Sequence, residues 1–269
     1  MRGASRDSLA AARERLEGQA AGHDPAGLAD ELFAAADACD SSPSLRAALT
    51  APAAEADAKA ALATDVFGGQ FSPVAVDLLA SVARSRWSNP REFVDALDML
   101  GVQAVVTSAE NHGVLEQVEA DLFQFGQIVT DQPPLRGALT DRSLPSESRA
   151  ELAAGLLEGR TPDETRRLVR RVVGHPRGLS FETALQAVID EVAQRRERRV
   201  ATVVTAIPLT QAQHQRLVAA LAAKFATQIS LNVIVDADVI GGLRVSVGDQ
   251  VIDGTIANRL DEARQRLIG

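Results

Sequence analysis

Ser44-Leu45-Arg46-Ala47-Ala48-Leu49-Thr50 and Pro134-Leu135-Arg136-Gly137-Ala138-Leu139-Thr140 are near-copies of one heptapeptide, 90 residues apart. Working outward, the same offset of 90 relates Leu32-Phe33 to Leu122-Phe123, and Ala60 and Leu62 to Ala150 and Leu152. It also relates Leu78, Leu79 and Val82 to Leu168, Val169 and Val172. Beyond these the register slips: Arg86-Trp87-Ser88 aligns with Gly178-Leu179-Ser180 at 92, and Ala96-Leu97 with Ala184-Leu185 at 88. Duplicated segments accumulate such slips at connections, because surface loops accept insertions and deletions. The first two thirds of the chain therefore read as a tandem duplication.

Each copy reads as helical. Leu28, Leu32, Phe33 and Ala36 recur at helical spacing, as do Phe93, Ala96, Leu97 and Leu100. Breakers punctuate the pattern: Pro43, Gly68-Gly69, Pro73 and Asn89-Pro90 in the first copy, and Pro133-Pro134, Pro145, Pro162 and His175-Pro176 in the second. Ser72, Ser88 and Thr161, each just before a proline or Asn-Pro, are expected N-caps. The expected architecture is two tandem bundles of about five or six short helices each, over residues 1–108 and 109–199.

Near residue 200 the composition changes. A helix over 180–199 ends in Arg195-Arg196-Glu197-Arg198-Arg199, a run whose cations suit the negative end of a helix dipole. Val200–Ile207 is rich in β-branched residues and reads as a strand broken by Pro208. Thr210 and Gln213 have capping-box spacing and open a helix carrying Leu217, Val218, Leu221 and Phe225 on one face. A second strand is expected to point Ile229, Leu231, Val233 and Val235 inward. Residues 242–247 and 250–252 read as a hairpin turning at Gly248-Asp249, and a last amphipathic helix carries Ile256, Leu260, Ala263 and Leu267. Residues 200–269 are thus expected to form a small α/β domain.

Composition narrows the function classes. Of 269 residues, 46% are hydrophobic but only 3% aromatic, with one Trp and no Tyr. Packing then rests on Ala and Leu, both helix formers. The formal charge of -8 is the wrong sign for counterion-releasing contact with nucleic acid, and few aromatics remain for base stacking. Cys39 lies in an apolar stretch and reads as a small buried hydrophobe in a chain without an internal disulfide. The N-terminus shows no secretory h-region, and no apolar run approaches the roughly 20 residues of a membrane-spanning helix.

No chemistry-bearing motif emerges. Gly241-Gly242-Leu243-Arg244-Val245-Ser246-Val247-Gly248 lacks the Gly-Lys-Ser/Thr ending of a phosphate loop. His23, His112, His175 and His214 are scattered, without zinc-ligand spacing. Neither a catalytic residue, a metal ligand nor a cofactor site is expected. Asp236, Asp249 and Asp253 read as turn-stabilising carboxylates, Gly248 and Gly254 as turn glycines, and Gly241 and Gly242 as a place of close backbone approach.

Three stretches together carry a resemblance: Val204-Thr205-Ala206-Ile207-Pro208-Leu209-Thr210; Val235-Asp236 followed by Val239-Ile240-Gly241-Gly242; and Val247-Gly248-Asp249 followed by Val251-Ile252-Asp253-Gly254-Thr255. They resemble the signature of the ATP synthase delta subunit family, whose mitochondrial relative is the oligomycin-sensitivity-conferring protein. Thr255 stands where many members carry Ser. Members usually carry one helical bundle, and a chain with two resembles the extended form of actinobacteria. The resemblance implies a non-catalytic stator subunit in the peripheral stalk of the proton-translocating ATP synthase. Its helical part would hold the N-termini of alpha subunits and its C-terminal domain the ends of b subunits, at the cytoplasmic face of the membrane. By family analogy the alpha-binding groove lies between the first and fifth helices of a bundle, implying Leu9, Arg13, Leu16, Val76 and Leu79 in the first copy. Those five are equally readable as core. Two other readings stand beside this one. A free-standing helical adaptor outside any ATP synthase would explain the duplication but not the signature. An enzyme using the α/β domain would show turnover or ligand binding there.

Overall fold

The structure, a computed structural model, describes residues 1, 3–20, 23–197, 200–225, 229–236, 242–247 and 250–253. Eleven helices precede the first described strand: α1 (Ala4–Ala20), α2 (Pro25–Ser41), α3 (Pro43–Thr50), α4 (Ala56–Phe67), α5 (Pro73–Arg84), α6 (Pro90–Asn111), α7 (Leu115–Asp131), α8 (Pro133–Thr140), α9 (Ser146–Leu157), α10 (Asp163–Gly174) and α11 (Phe181–Glu197). There follow β1 (Val200–Thr205), α12 (Gln211–Phe225), β2 (Ser230–Val235), β3 (Leu243–Val247) and β4 (Gln250–Asp253). The chain divides into two compact units, Met1–Glu191 and Val192–Gly269.

The helical unit carries the duplication into three dimensions. Both ends of α2, α3, α4 and α5 reappear 90 residues later as the ends of α7, α8, α9 and α10. The loop before α11 is one residue longer than that before α6, so the next helix starts 91 residues on. The buried stripe still follows the 88-residue register: Phe93, Ala96, Leu97 and Leu100 are matched by Phe181, Ala184, Leu185 and Val188. Leu32, Leu49, Leu78 and Leu79 form the first core, and Leu122, Leu139, Leu168 and Val169 the second.

α6 does not belong to one copy. It packs along α2 and against α1 and α3, and also meets α7 and α10. That explains its composition: Leu100 to Ala109 is buried almost without interruption, whereas a surface helix buries one stripe. The boundary expected between residues 108 and 109 falls inside this helix.

Caps were legible only in part. Ser72 caps α5, its side chain accepting from the Ala75 amide. Ser88, expected to cap the next helix, does not; Asn89 does, with its side chain accepting from the Arg91 amide, while the Ser88 amide donates to Ser5 Oγ. Thr161 is likewise not a cap, because its hydroxyl turns back to the Leu157 carbonyl. At Ser88 the neighbouring Asn89 takes the cap position, and at Thr161 Pro162 itself stands there with no side-chain cap.

In the second unit the sheet order is β2-β1-β3-β4. β1 and β2 are parallel, joined through α12, and β1–β3 and β3–β4 are antiparallel. A parallel pair requires such a crossover, whereas β3 and β4 close as a hairpin. Thr210 and Gln213 form the expected capping box: the Gln213 amide donates to Thr210 Oγ1 at 3.3 Å and Gln213 Oε1 accepts from the Thr210 amide at 2.9 Å. Ala201, Val203, Leu221, Ile229, Val245 and Val247 form the core, with Leu217, Phe225, Leu231 and Val233 against it. Val235, expected inward, is 52% exposed at the end of an edge strand, where the core has run out. The expected last helix with Ile256, Leu260, Ala263 and Leu267 lies outside the described residues, as does the hairpin turn itself.

Candidate functional site

The most elaborate side-chain arrangement of the helical unit is the seam where α10 meets α2 and α6. Asp163-Glu164-Thr165-Arg166-Arg167-Leu168-Val169-Arg170-Arg171-Val172-Val173-Gly174 places Leu168, Val169, Val172 and Val173 in the core. Residues three and four apart share a helix face, so the four arginines line up along the rest of the helix. Asp163 and Glu164 occupy its first turn, where carboxylates suit the dipole.

The arginines reach across the repeats. Arg171 is buried; its Nη1 donates to Asp37 of α2 at 2.8 Å, its Nε pairs with Asp98 of α6, and its guanidinium lies 4.7 Å over the Phe33 ring. Arg167 joins Asp30 of α2 to Asp163 of its own helix. Both guanidinium groups are held above their ordinary pKa: for Arg167 the Asp30 bond is the main cause, while for Arg171 Asp98 and Asp37 outweigh burial. Just beyond α10, Arg177 donates to Asp95 at 3.1 Å and sits 3.4 Å from Asp98. It does so at φ 51, a left-handed conformation unusual for a non-glycine residue, here over-determined by its ion pairs. His175 Nε2 lies 3.5 Å from Asp37. Burial, and then Arg171, hold its imidazole below the ordinary value.

Beside this network a cleft of about 540 Å³ opens between α2 on one side and α9 and α10 on the other, floored by Phe33, Ala34, Ala150 and Ala154. At the far end of α10's first turn, buried Glu164 accepts from Ser108 Oγ at 2.9 Å and lies 2.6 Å from His112 Nδ1, both on or capping α6. Burial would raise the Glu164 carboxyl, but these bonds hold it below the usual carboxylate range. These ion pairs and hydrogen bonds tie α10 to α2 and α6. Cys39 is fully buried and its thiol is pushed up to about 12 by burial, which makes it inert.

Sequence reading missed a second repeated device. Lys59 on α4 is buried and donates to the Ser85 carbonyl at 2.9 Å, and burial lowers its pKa. Its counterpart 90 residues on, Arg149 on α9, is also buried and donates to the Leu139 and Val173 carbonyls at 3.2 Å. Lys59 satisfies a carbonyl just past the end of α5, and Arg149 satisfies carbonyls at the ends of α8 and α10. The clue was present: both directly precede the paired Ala60 and Ala150.

Of the residues implied for a groove between first and fifth helices, Leu9, Leu16 and Leu79 are buried where α1 packs against α5. Val76 is half-buried, and Arg13 reaches Glu191 of α11 at 2.7 Å. Arg15 and Gln19 of α1 both bond Asp77 of α5, lacing that seam. Among the signature residues, Pro208 and Asp236 are exposed. The Asp236 amide donates to the Thr205 carbonyl at 2.9 Å, continuing the β1–β2 ladder. Gly242 has φ 80 just before β3, and Asp253 ends β4 opposite Arg244. Gly241, Gly248, Asp249 and Gly254 lie outside the described residues.

A profile of the ATP synthase delta (OSCP) subunit family matches residues 102–267, from within α6 through the second repeat and the α/β unit. Full-length relatives include the repeat before it. The ATP synthase subunit delta of Streptomyces avermitilis is 49% identical over 267 residues, covering 98% of each chain. That of Streptomyces coelicolor is 48% identical over 269 residues, covering 99% of this chain and 98% of its own. That of Kineococcus radiotolerans is 45% identical over 269 residues, with the same coverage. A chain of the Toxoplasma gondii mitochondrial ATP synthase hexamer aligns with 62% of this chain at 22% identity and a TM-score of 0.32, too low to add to the sequence match. With the profile spanning residues 102–267 and relatives nearly half identical along the whole chain, the chain belongs to the ATP synthase delta (OSCP) subunit family.

Proposed function

We propose that this chain is a non-catalytic stator subunit of the peripheral stalk, tying the alpha subunits of the catalytic head to the b subunits and resisting rotor torque. The observation that carries the reading is the match over 98% of both chains to a protein named ATP synthase subunit delta. Load passes through two contacts in series, so each must be tight; a nanomolar contact corresponds to roughly 12 kcal/mol. No described helix is long and apolar enough to cross a membrane. In this reading the chain is held at the cytoplasmic face through its partners, with the b subunits on the α/β unit.

The alpha N-terminus, laid as a helix along the seam of α1 and α5, would meet Val76 and Arg13 above the buried Leu9, Leu16 and Leu79. The equivalent seam of the second repeat, α6 against α10, already carries Asp30, Phe33 and Asp37 of α2. One direct head contact per chain is therefore expected. Affinity purification of the chain from native membranes should bring alpha, beta and b subunits; recovery of none of them sinks the reading. Crosslinkers on α5 and α10 should give alpha-subunit products from α5 only, and equal yields would overturn the assignment to one repeat.

A further inference from the structure

The arginines that line the cleft beside α10 are all met by carboxylates: Arg166 by Asp163, Arg167 by Asp30, Arg170 by Glu147 and Arg171 by Asp37. A second cavity of the helical unit is built otherwise. It measures about 270 Å³ and is formed by α8 and the loop after it, α9, the end of α10 and the start of α11. Arg136, Arg142 and Arg149 line it, and Glu182 is the one carboxylate among the described residues that do. Asp141, in the adjoining loop, lies in the field of Arg149, but its carboxylate already accepts from the Ser143 amide at 2.9 Å. Arg136 and Arg142 are exposed and form no ion pair among the described residues.

Arg149 is the buried member, 8% exposed. Its Nη1 serves the Leu139 and Val173 carbonyls, and its Nε is buried without a partner. A buried guanidinium N–H left unmet is costly, so this group calls for an acceptor. Ser180, Phe181 and Glu182 bring the N-terminus of α11 to the same cavity. Ser180 Oγ takes the Thr183 amide, which leaves the Phe181 and Glu182 amides without an intrahelical acceptor. Helix amides and guanidinium groups are the donors that hold oxyanions.

The first repeat shows what the second has changed. Arg46, the counterpart of Arg136, donates to the Cys39 carbonyl at 3.1 Å and pairs with Asp40 at 3.5 Å. Thr130 stands in place of Asp40, and its hydroxyl donates to the Gly126 carbonyl instead. Arg142 stands in place of Pro52. On one framework, the second repeat has lost an anion and gained a cation.

We propose that this cavity binds a phosphate dianion, either free or as the end of a phosphomonoester. A dianion with several oxygens matches three guanidinium groups and a helix N-terminus better than a two-oxygen carboxylate does. Drug-sized ligands occupy roughly 300 Å³ or more, so the space suits a small group. The site stands independently of the stator reading.

The test titrates inorganic phosphate into the purified full chain, with ionic strength held constant by sodium chloride. Phosphate should raise the melting temperature, because a ligand of the folded state stabilises it. It should also shift the amide signals of Phe181 and Glu182 more than those of the α2–α10 cleft. Arg136→Gln and Arg142→Gln should each weaken phosphate binding about tenfold, the scale of one charged hydrogen bond. Both side chains are exposed, so neither change should lower the melting temperature in chloride alone. Arg170→Gln, in the other cleft, should leave phosphate binding intact. Glycerol 3-phosphate separates the two sources: tighter binding than inorganic phosphate assigns the site to a phosphomonoester, and weaker binding assigns it to the free ion. Equal stabilisation by chloride, amide shifts confined to the α2–α10 cleft, or full binding by the Arg136→Gln, Arg142→Gln double variant would overturn the proposal.

Discussion

Arg171 shows how much of the helical unit hangs on single side chains. It is shared by Asp37 and Asp98 from two different helices while its flat face covers Phe33. Replacing it with Met would keep the volume but strip Asp37 of its guanidinium partner and leave Asp98 with Arg177 alone, so Arg171→Met should cost about 3 kcal/mol in urea unfolding. Arg171→Lys should rescue little, because an ammonium cannot offer the fork that serves two carboxylates. The surrounding surface pairs, such as Arg84 with Asp57, should each matter by less than about 1 kcal/mol. His175 gives a pH signature. Its folded pKa is depressed, so the unfolded chain binds the extra proton and stability is lost as pH falls from about 6.5 toward the folded value. His175→Gln should flatten that part of the stability profile. Below about pH 4.5 a second loss is expected from Glu164, whose carboxyl is held low and whose contribution disappears on protonation.

Among the helices, α6 is the one whose failure would reach both repeats. Its sequence spends few residues on solvent because it is wrapped by α1, α2 and α3 on one side of the duplication and by α7 and α10 on the other. Gly101 sits where a Cβ would run into the Phe33 ring. Gly101→Ala normally favours a helix by about 1 kcal/mol; here overpacking should outweigh it and give a net loss of about 1–2 kcal/mol by denaturant titration. If Gly101→Ala stabilises instead, the ring does not pack as described. In the other unit, Thr210→Ala removes the hydroxyl half of the α12 capping box and should cost about 1 kcal/mol, confined to the α/β transition.

The helical unit as a body should unfold in one step. The repeats share a helix and are cross-bonded from α10 to α2, so neither can lose α6 without exposing the other's core. Native-state hydrogen exchange should report the same opening free energy for the slowest amides of α5 and α10, and Arg171→Met should lower both together. Two separately shifting values would mean that the repeats are independent domains. If the proposed stator role holds, one cooperative body is the useful outcome, since a link that opens locally would relax the load.

The duplication, the helical character of its copies, the switch to β-branched strands at residue 200 and the α12 capping box were all written in residue order, because they depend on spacing along the chain. The paired Leu32 and Leu122, for example, are equally buried. What spacing could not state is which copy of a repeated residue finds a neighbour. Phe33 and Phe123 hold the same place in the repeat, yet one lies beneath Arg171 and the other faces outward, since only the first has a following repeat to pack against it. The same limit hid the service of α6 to both bundles and the pairing of Lys59 and Arg149 with helix-end carbonyls. Contacts between side chains far apart in the chain are set by how whole helices dock, and docking is decided by the summed packing of many faces rather than by any one stretch.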